Sequence, residues 1–153
     1  MNKTRRLCVG MLAVAASSVA IASASAQAAT LELRTTALGP VITNSAGFTV
    51  FQFTLDPKKM DKCVTIMGCS AVWPALEVTG TPTVGAGLSA KLVGEIMLPG
   101  GAMQVTYAGH PLYLYVGNSH PEETSYSGAN EFGGTWYATN AKGKKAKPPK
   151  MKK

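Results

Sequence analysis

The sequence predicts a mainly β fold in which antiparallel sheets are built from two tandem, pseudo-symmetric repeat units that form a sandwich or a barrel. Two observations carry this prediction. Residues 46–56 align without gaps to residues 108–118, an offset of 62 residues, and the only two tryptophans, Trp73 and Trp136, are 63 residues apart. Helical periodicity is nearly absent from this region, whereas short apolar runs alternate with glycine turns. We place the two units at about residues 38–78 and 92–140.

Each unit is predicted to run as strand, glycine turn, strand, long loop and tryptophan strand. In the second unit, residues 96–98 and Met103–Tyr107 flank Pro99-Gly100-Gly101, which is a hairpin signal. A weaker match of residues 38–42 with residues 92–96 extends the repeat upstream.

The first 26 residues have the pattern of a helical signal peptide. Basic residues precede the apolar, alanine-rich run at residues 7–21, and small residues end at Ala26, where we place cleavage. The run is too short and too rich in Ala and Ser for a permanent anchor, and no later stretch is long enough to span a membrane. Arg5-Arg6 leaves twin-arginine export open beside the general route. A lipid anchor would need a cysteine at the cleavage point after the apolar run, and Cys8 lies far before that point, so we expect a periplasmic or secreted bacterial protein.

The net charge of +7 is unevenly distributed. Residues 27–141, the predicted β domain, carry five basic and eight acidic side chains, whereas the tail at residues 142–153 carries seven lysines and no acid. Such a tail is predicted to be disordered and able to contact an anionic surface, such as lipid headgroups or cell-wall polymers. A nucleic-acid partner is not expected, because the chain is exported and has no face that combines aromatic and basic residues.

Two cysteines follow the signal segment, and an even number in an oxidising compartment favours a disulfide. Cys63 and Cys69 enclose five residues that include Gly68, so the segment can bend back on itself. Closing so short a loop stabilises the fold by about 2 kcal/mol in the chain-entropy model. We therefore predict a local clasp.

Two aromatic pairs mark the repeat. Phe51 and Phe53, and likewise Tyr113 and Tyr115, are two residues apart, so each pair projects from one face of a strand. An aromatic stripe of this kind is most simply core; a platform that stacks a ligand is the alternative.

A polar residue follows each aromatic pair at the strand end. Asp56 precedes Pro57, where its carboxylate can accept hydrogen bonds from loop backbone N–H groups, and Asn118 has the matching place in the second unit. An amide can accept the same bonds but cannot act as a general acid or base. We therefore predict turn capping at both positions.

These features resemble the bacterial secreted-repeat proteins, often described as lipoproteins, which carry a Tyr-x-aromatic-x-x-Asp motif and have no defined biochemical function. The resemblance covers about residues 38–140 and implies export and architecture without a substrate. Phe51 stands where the motif has Tyr, Asn118 stands where it has Asp, and the lipid-bearing cysteine is missing. The matching segments are the two aromatic motifs, Cys63 and Cys69 ahead of Trp73-Pro74, Val105-Thr106-Tyr107 before Gly109, and residues 132–137 with Trp136.

A site for a soft metal or for haem is the sharper alternative. Thioether and imidazole side chains suit copper, although the spacing is not that of a zinc pair and the covalent haem motif is absent. No cofactor is predicted; if a metal binds, the candidate ligands are His110, His120, Met60 and Met67.

The sequence does not predict an enzyme. The glycine-flanked serine, the zinc-protease helix motif and the phosphate-binding glycine loop are all missing from it. His120 near Glu122, Glu123 and Glu131 is the one acid–base set that we considered, and acids in such a loop are usually solvated. We predict a non-enzymatic binding or scaffolding protein that contacts an unknown envelope component through its tail and long loops, residues 57–70 and 118–134. The alternative is a periplasmic metal- or redox-handling accessory protein.

Overall fold

The computed structural model describes residues 30–147. The predicted signal peptide and the last six residues lie outside this range. The described chain is mainly β, with one 3₁₀ turn at Cys63–Thr65 and one helical turn, α1, at Cys69–Val72. The strands are β1 Leu31–Thr36, β2 Gly39–Asn44, β3 Phe51–Phe53, β4 Glu77–Val78, β5 Val93–Met97, β6 Met103–Tyr107, β7 His110–Pro111, β8 Asn130–Glu131 and β9 Gly134–Ala138.

All strand pairs are antiparallel, as the turn chemistry predicts. β1 and β2 form a hairpin, β3, β9 and β8 form a three-stranded sheet, and β6 lies between β4 and β5 with β7 also paired to it. Within residues 30–147 none of these sheets closes on itself as a barrel. The prediction of a mainly β, antiparallel fold is therefore confirmed.

The sheets are joined by single bridges at their edges. Phe51 in β3 exchanges two backbone hydrogen bonds with Tyr113, at 2.9 and 3.0 Å, and Val41 in β2 bridges Asn140. The second strand of each hairpin is buried on both faces, since Val41, Ile42 and Thr43 are all inaccessible to solvent. Val41 packs in the core cluster that contains the two tryptophans, whereas Ile42 packs in a second cluster with Val105.

The upstream extension of the repeat was wrong. Residues 92–96 fall largely in β5, the first strand of the second hairpin, whereas residues 38–42 form the turn and the second strand of the first hairpin. β1 has the place in the first hairpin that β5 has in the second. The five-residue match therefore aligned the second strand of one hairpin with the first strand of the other, and these two strands are not equivalent.

The beginning of the predicted disordered tail is folded. Asn140 Oδ1 accepts hydrogen bonds from the backbone N–H groups of Lys142 and Lys144, at 2.9 and 3.1 Å. Ala146 N–H donates to the carbonyl of Ala138 at 2.7 Å, and Ala146 is buried. Residues 142–147 thus form a turn that returns to β9, because an asparagine turn and a buried alanine offset the polarity of the lysines.

Candidate functional site

Five aromatic rings form one continuous column through the centre of the protein. The two indoles stack in parallel, with ring centroids 4.1 Å apart and planes within 2°. Phe53 stacks on the outer face of Trp136 at 4.0 Å, and Tyr115 lies on the outer face of Trp73 at 4.4 Å. Tyr126 extends the column beyond Tyr115 at 4.1 Å. Every residue of the two aromatic motifs is thereby close to another ring, because Phe51 and Tyr113 contact the indoles edge-on.

The burial of these rings decides between core and ligand platform. Phe51, Tyr113 and both tryptophans are fully inaccessible, and Phe53 is 2% exposed. A ring that has ring neighbours on both faces has no free face for a ligand. Phe51, Phe53, Tyr113 and the two tryptophans therefore form the interior, whereas Tyr115 is only partly buried.

Glu131 holds the two indoles in place, and sequence reasoning missed it in this role. Its carboxylate accepts a hydrogen bond from Trp73 Nε1 at 2.7 Å, and its backbone carbonyl accepts one from Trp136 Nε1 at 3.3 Å. A buried indole N–H requires a partner. The position of Glu131 five residues before Trp136, ahead of Gly133-Gly134, is a hairpin signal that could have pointed to it.

Asp56 caps its loop, and it also anchors the core. Its Oδ1 accepts the backbone N–H of Lys62 at 2.8 Å, and its Oδ2 accepts the hydroxyl of Tyr113 at 2.8 Å. Burial raises the pKa of Asp56 to about 6, against the lowering effect of these hydrogen bonds. Burial and the neighbouring Asp56 carboxylate also raise the pKa of Tyr113. The pair is a partly buried carboxyl–phenol contact within the fold.

Asn118 makes the same backbone turn without a side-chain cap. Its N–H donates to the carbonyl of Tyr115 at 3.2 Å, just as the N–H of Asp56 donates to Phe53 at 3.3 Å. Within residues 30–147 neither polar atom of its amide has a hydrogen-bond partner, although both are shielded from solvent. Asp56 and Asn118 thus share a position but differ in what their side chains do.

The predicted disulfide is confirmed. Cys63 and Cys69 are bonded, with their Cα atoms 5.3 Å apart, and both are fully buried. Cys63 Sγ lies 3.7 Å from the carbonyl oxygen of Trp73. The clasp therefore joins the 3₁₀ turn and α1 directly beneath the aromatic column.

The candidate metal ligands lie in different surroundings. His110 is in β7, where burial and then Lys58 and Lys145 lower its pKa, whereas exposed His120 is 3.9 Å from Glu123. The exposed thioether residues are Met60, at 50%, and Met67, at 96%. In the described part of the chain, no group of three or more His, Cys, Asp or Glu side chains could hold a metal ion.

The acid–base set is also divided. Glu123 faces His120, Glu122 lies 3.7 Å from Arg34, and Glu131 is bonded to Trp73. The structure therefore brings only one of the three acids to His120.

A polar cleft of about 620 Å³ lies beside the first hairpin. Its polar lining comes from threonines together with Asn44, Ser45 and Glu77. The amide oxygen of Asn44 is already used by Ala46 and Phe48, and Thr30 and Thr83 bond each other. Asn44, Thr30 and Thr83 thus already use polar groups within the fold.

Fold and interior together define a small antiparallel β protein with one disulfide clasp and a stacked aromatic core. Over residues 30–147 no helix is long and apolar enough to cross a bilayer. Residues 96–139 match the model of a family described as a secreted repeat of unknown function. This match confirms the resemblance for that segment, which includes Tyr113, Glu131 and Trp136. No curated protein and no solved structure is significantly similar to the chain.

Proposed function

We propose that the chain is an exported, non-enzymatic binding or scaffolding protein of the bacterial cell envelope, built from two fused copies of the secreted repeat. The observation that carries this proposal is the burial of most motif aromatics: Phe51, Phe53, Tyr113 and both tryptophans form an interior and leave binding to the surface. The description of the matched family as secreted supports export.

Matched contacts support two copies related by an approximate twofold axis. Phe51 and Tyr113, which the offset makes equivalent, pair with each other, and Trp73 stacks on Trp136. The ring contacts are also exchanged, since Phe53 covers Trp136 whereas Tyr115 covers Trp73. Equivalent residues meet in this way only at a symmetry axis.

The backbone pairing supports the same axis. The register that pairs Leu31 with Asn44 has its counterpart in Val93 with Tyr107. Three backbone hydrogen bonds each have an equivalent in the other copy. Val50 donates to Ile42 as Leu112 donates to Val105, and Leu76 donates to Leu112 as Thr139 donates to Val50. Likewise, Val116 donates to Val72 as Thr54 donates to Thr135. The two copies would then begin near Leu31 and near Val93, and the second of these lies just ahead of residue 96, where the match to the family model begins.

Cell fractionation tests the envelope role. We expect the full chain to sediment with the envelope at low ionic strength and to be released by salt. The reason is that salt screens the attraction between exposed lysines and an anionic surface. Truncation after Lys147 should reduce the sedimenting fraction while keeping Ala146 in the core. Exchange of Lys62 and Lys91 for Gln is the charge control and should change little. A full chain that is recovered entirely free of the envelope would overturn the proposal.

The metal- or redox-handling alternative makes a different prediction. Protein purified from its own compartment would carry stoichiometric copper or haem, detected by elemental analysis and absorption. His110→Ala with His120→Ala should then abolish copper uptake; metal-free native protein would count against this alternative.

A further inference from the structure

Three segments that are far apart in the sequence meet beside β7. The backbone N–H of Lys59 donates to the carbonyl of Gly109 at 2.7 Å, which fixes the first loop against the turn before His110. The hydroxyl of Tyr107 donates to the carbonyl of Ala141 at 3.0 Å, which fixes the C-terminal turn on the other side. The loop after β3 and the C-terminal turn are thus both held at the end of β6 and at the turn that leads from it into β7.

Lys58 is positioned by Gly109. A Cβ atom added at Gly109 would lie 3.2 Å from Cδ of Lys58, so the lysine stem packs against the bare glycine backbone. Gly109 also has a φ of 81°, in the left-handed region that favours glycine. The turn therefore has two reasons to carry glycine here, and one of them is contact with Lys58.

Lys145 is carried by the C-terminal turn, whose Gly143 packs closely against Ala108 in the turn between β6 and β7. Its backbone bridges Thr139, and its Nζ lies 4.5 Å from the ring centroid of Tyr137. The contact with the ring restrains an otherwise mobile side chain. Both Lys58 and Lys145 are close enough to act electrostatically on His110.

The positive charge at this place is unneutralised in the described structure. The ion pairs found within residues 30–147 involve Arg34 and His120, and none involves Lys58 or Lys145. Lys59, Lys142 and Lys144 are carried by the same two segments and are exposed. Two like charges held beside one imidazole are a favourable setting for an anion.

We propose that Lys58, His110 and Lys145 form a binding site for a phosphate group carried by an anionic envelope component. This site rests on the proposed binding function and names its ligand chemistry. The two ammonium groups supply charge and hydrogen-bond donors, and the neutral imidazole supplies one N–H. Because the lowered pKa of His110 keeps the ring neutral at neutral pH, the lysines provide the attraction.

Titration with inorganic phosphate tests the site in the purified protein, residues 27–153. We expect ¹H–¹⁵N resonances of His110 and its neighbours to shift with phosphate and not with chloride at equal ionic strength. Lys58→Gln with Lys145→Gln should weaken binding about tenfold. Lys62→Gln with Lys91→Gln removes the same charge elsewhere and should leave binding unchanged. Absence of phosphate-specific shifts, or equal loss in both double variants, would overturn the site.

Vesicles identify the source of the phosphate group. Phosphatidylcholine vesicles that also contain phosphatidylglycerol should bind the protein about thirtyfold more weakly after the Lys58 and Lys145 exchanges, if the ligand is an anionic lipid headgroup. Phosphate binding without vesicle binding supports the same site and assigns it to a soluble or polymeric phosphate ester. Envelope sedimentation without phosphate binding would overturn this inference alone, whereas phosphate binding without sedimentation would overturn only the envelope role.

Discussion

Asp56 carries a carboxyl group that is harder to ionise in the folded protein than in water. Its pKa is about 6, against an ordinary 3.8, because burial outweighs two hydrogen bonds. Between these pH values the folded chain binds more protons than the unfolded chain. The protonated carboxyl group of Asp56 therefore contributes stability that is complete below pH 3.8, the ordinary pKa, which applies to the unfolded chain. This contribution is lost as the pH rises through about 6, the pKa in the folded chain.

Asp56→Asn should remove this part of the pH dependence. The variant keeps an acceptor for the N–H of Lys62, and we expect it to gain about 1 kcal/mol at neutral pH after allowance for partial exposure. The gain should be smaller at about pH 5. Urea unfolding of both proteins at the two pH values measures it, with Glu95→Gln on exposed β5 as control. A gain that is the same at both pH values would contradict the assignment.

Glu131 acts on the core through one hydrogen bond to a buried indole. Glu131→Ala leaves Trp73 Nε1 without its partner, so we expect a loss of about 1–3 kcal/mol in the free energy of unfolding. Glu131→Gln retains an acceptor of nearly the same length and should lose much less. Denaturant unfolding followed by tryptophan fluorescence compares the two; equal losses would show that the hydrogen bond is not the cause.

At the scale of elements, the disulfide clasp holds the 3₁₀ turn and α1 beneath the aromatic column. Cys63→Ser with Cys69→Ser should lower the free energy of unfolding by about 2 kcal/mol, because the unfolded chain gains conformational entropy when the crosslink is absent. Reductant should destabilise the parent protein by a similar amount and leave the double variant unchanged. Thermal unfolding with and without dithiothreitol provides this comparison, and a reductant effect on the variant would assign the loss elsewhere.

The elements that could be predicted from sequence are those determined by local patterns. Alternation placed Phe51 and Phe53 on one face, and the even cysteine count after the signal segment, together with the short spacing, indicated the Cys63–Cys69 clasp. The folded turn after Asn140 could not be predicted, because composition hides a single buried alanine among lysines. The role of Glu131 was missed for a related reason: its partner Trp73 is 58 residues away, and the hairpin signal at Gly133-Gly134 does not show which distant side chain the acid contacts.

At the scale of the whole molecule, the two proposed copies share one interior. The first contributes Phe53 and Trp73 to the ring column, and the second contributes Tyr115, Tyr126 and Trp136. β3 of the first copy pairs with β9 of the second, and the two indoles come from different copies, so each half keeps its own hairpin but loses the shared sheet and the indole stack. A half of this size is also at the lower limit for a stable core.

Division of the chain after Gly87 should therefore separate two unfolded halves that fold only together. We expect residues 30–87 and residues 88–147 each to lack a near-ultraviolet circular dichroism signal, because a fixed stack requires Trp73 and Trp136 side by side. Mixing the halves at equal concentration should restore the signal and a cooperative unfolding transition. The control is the undivided chain with a short Gly-Ser insertion after Gly87, which should keep both. A half with its own signal and cooperative transition would instead show that the repeat is an independent folding unit and that the shared column is only a contact between two domains.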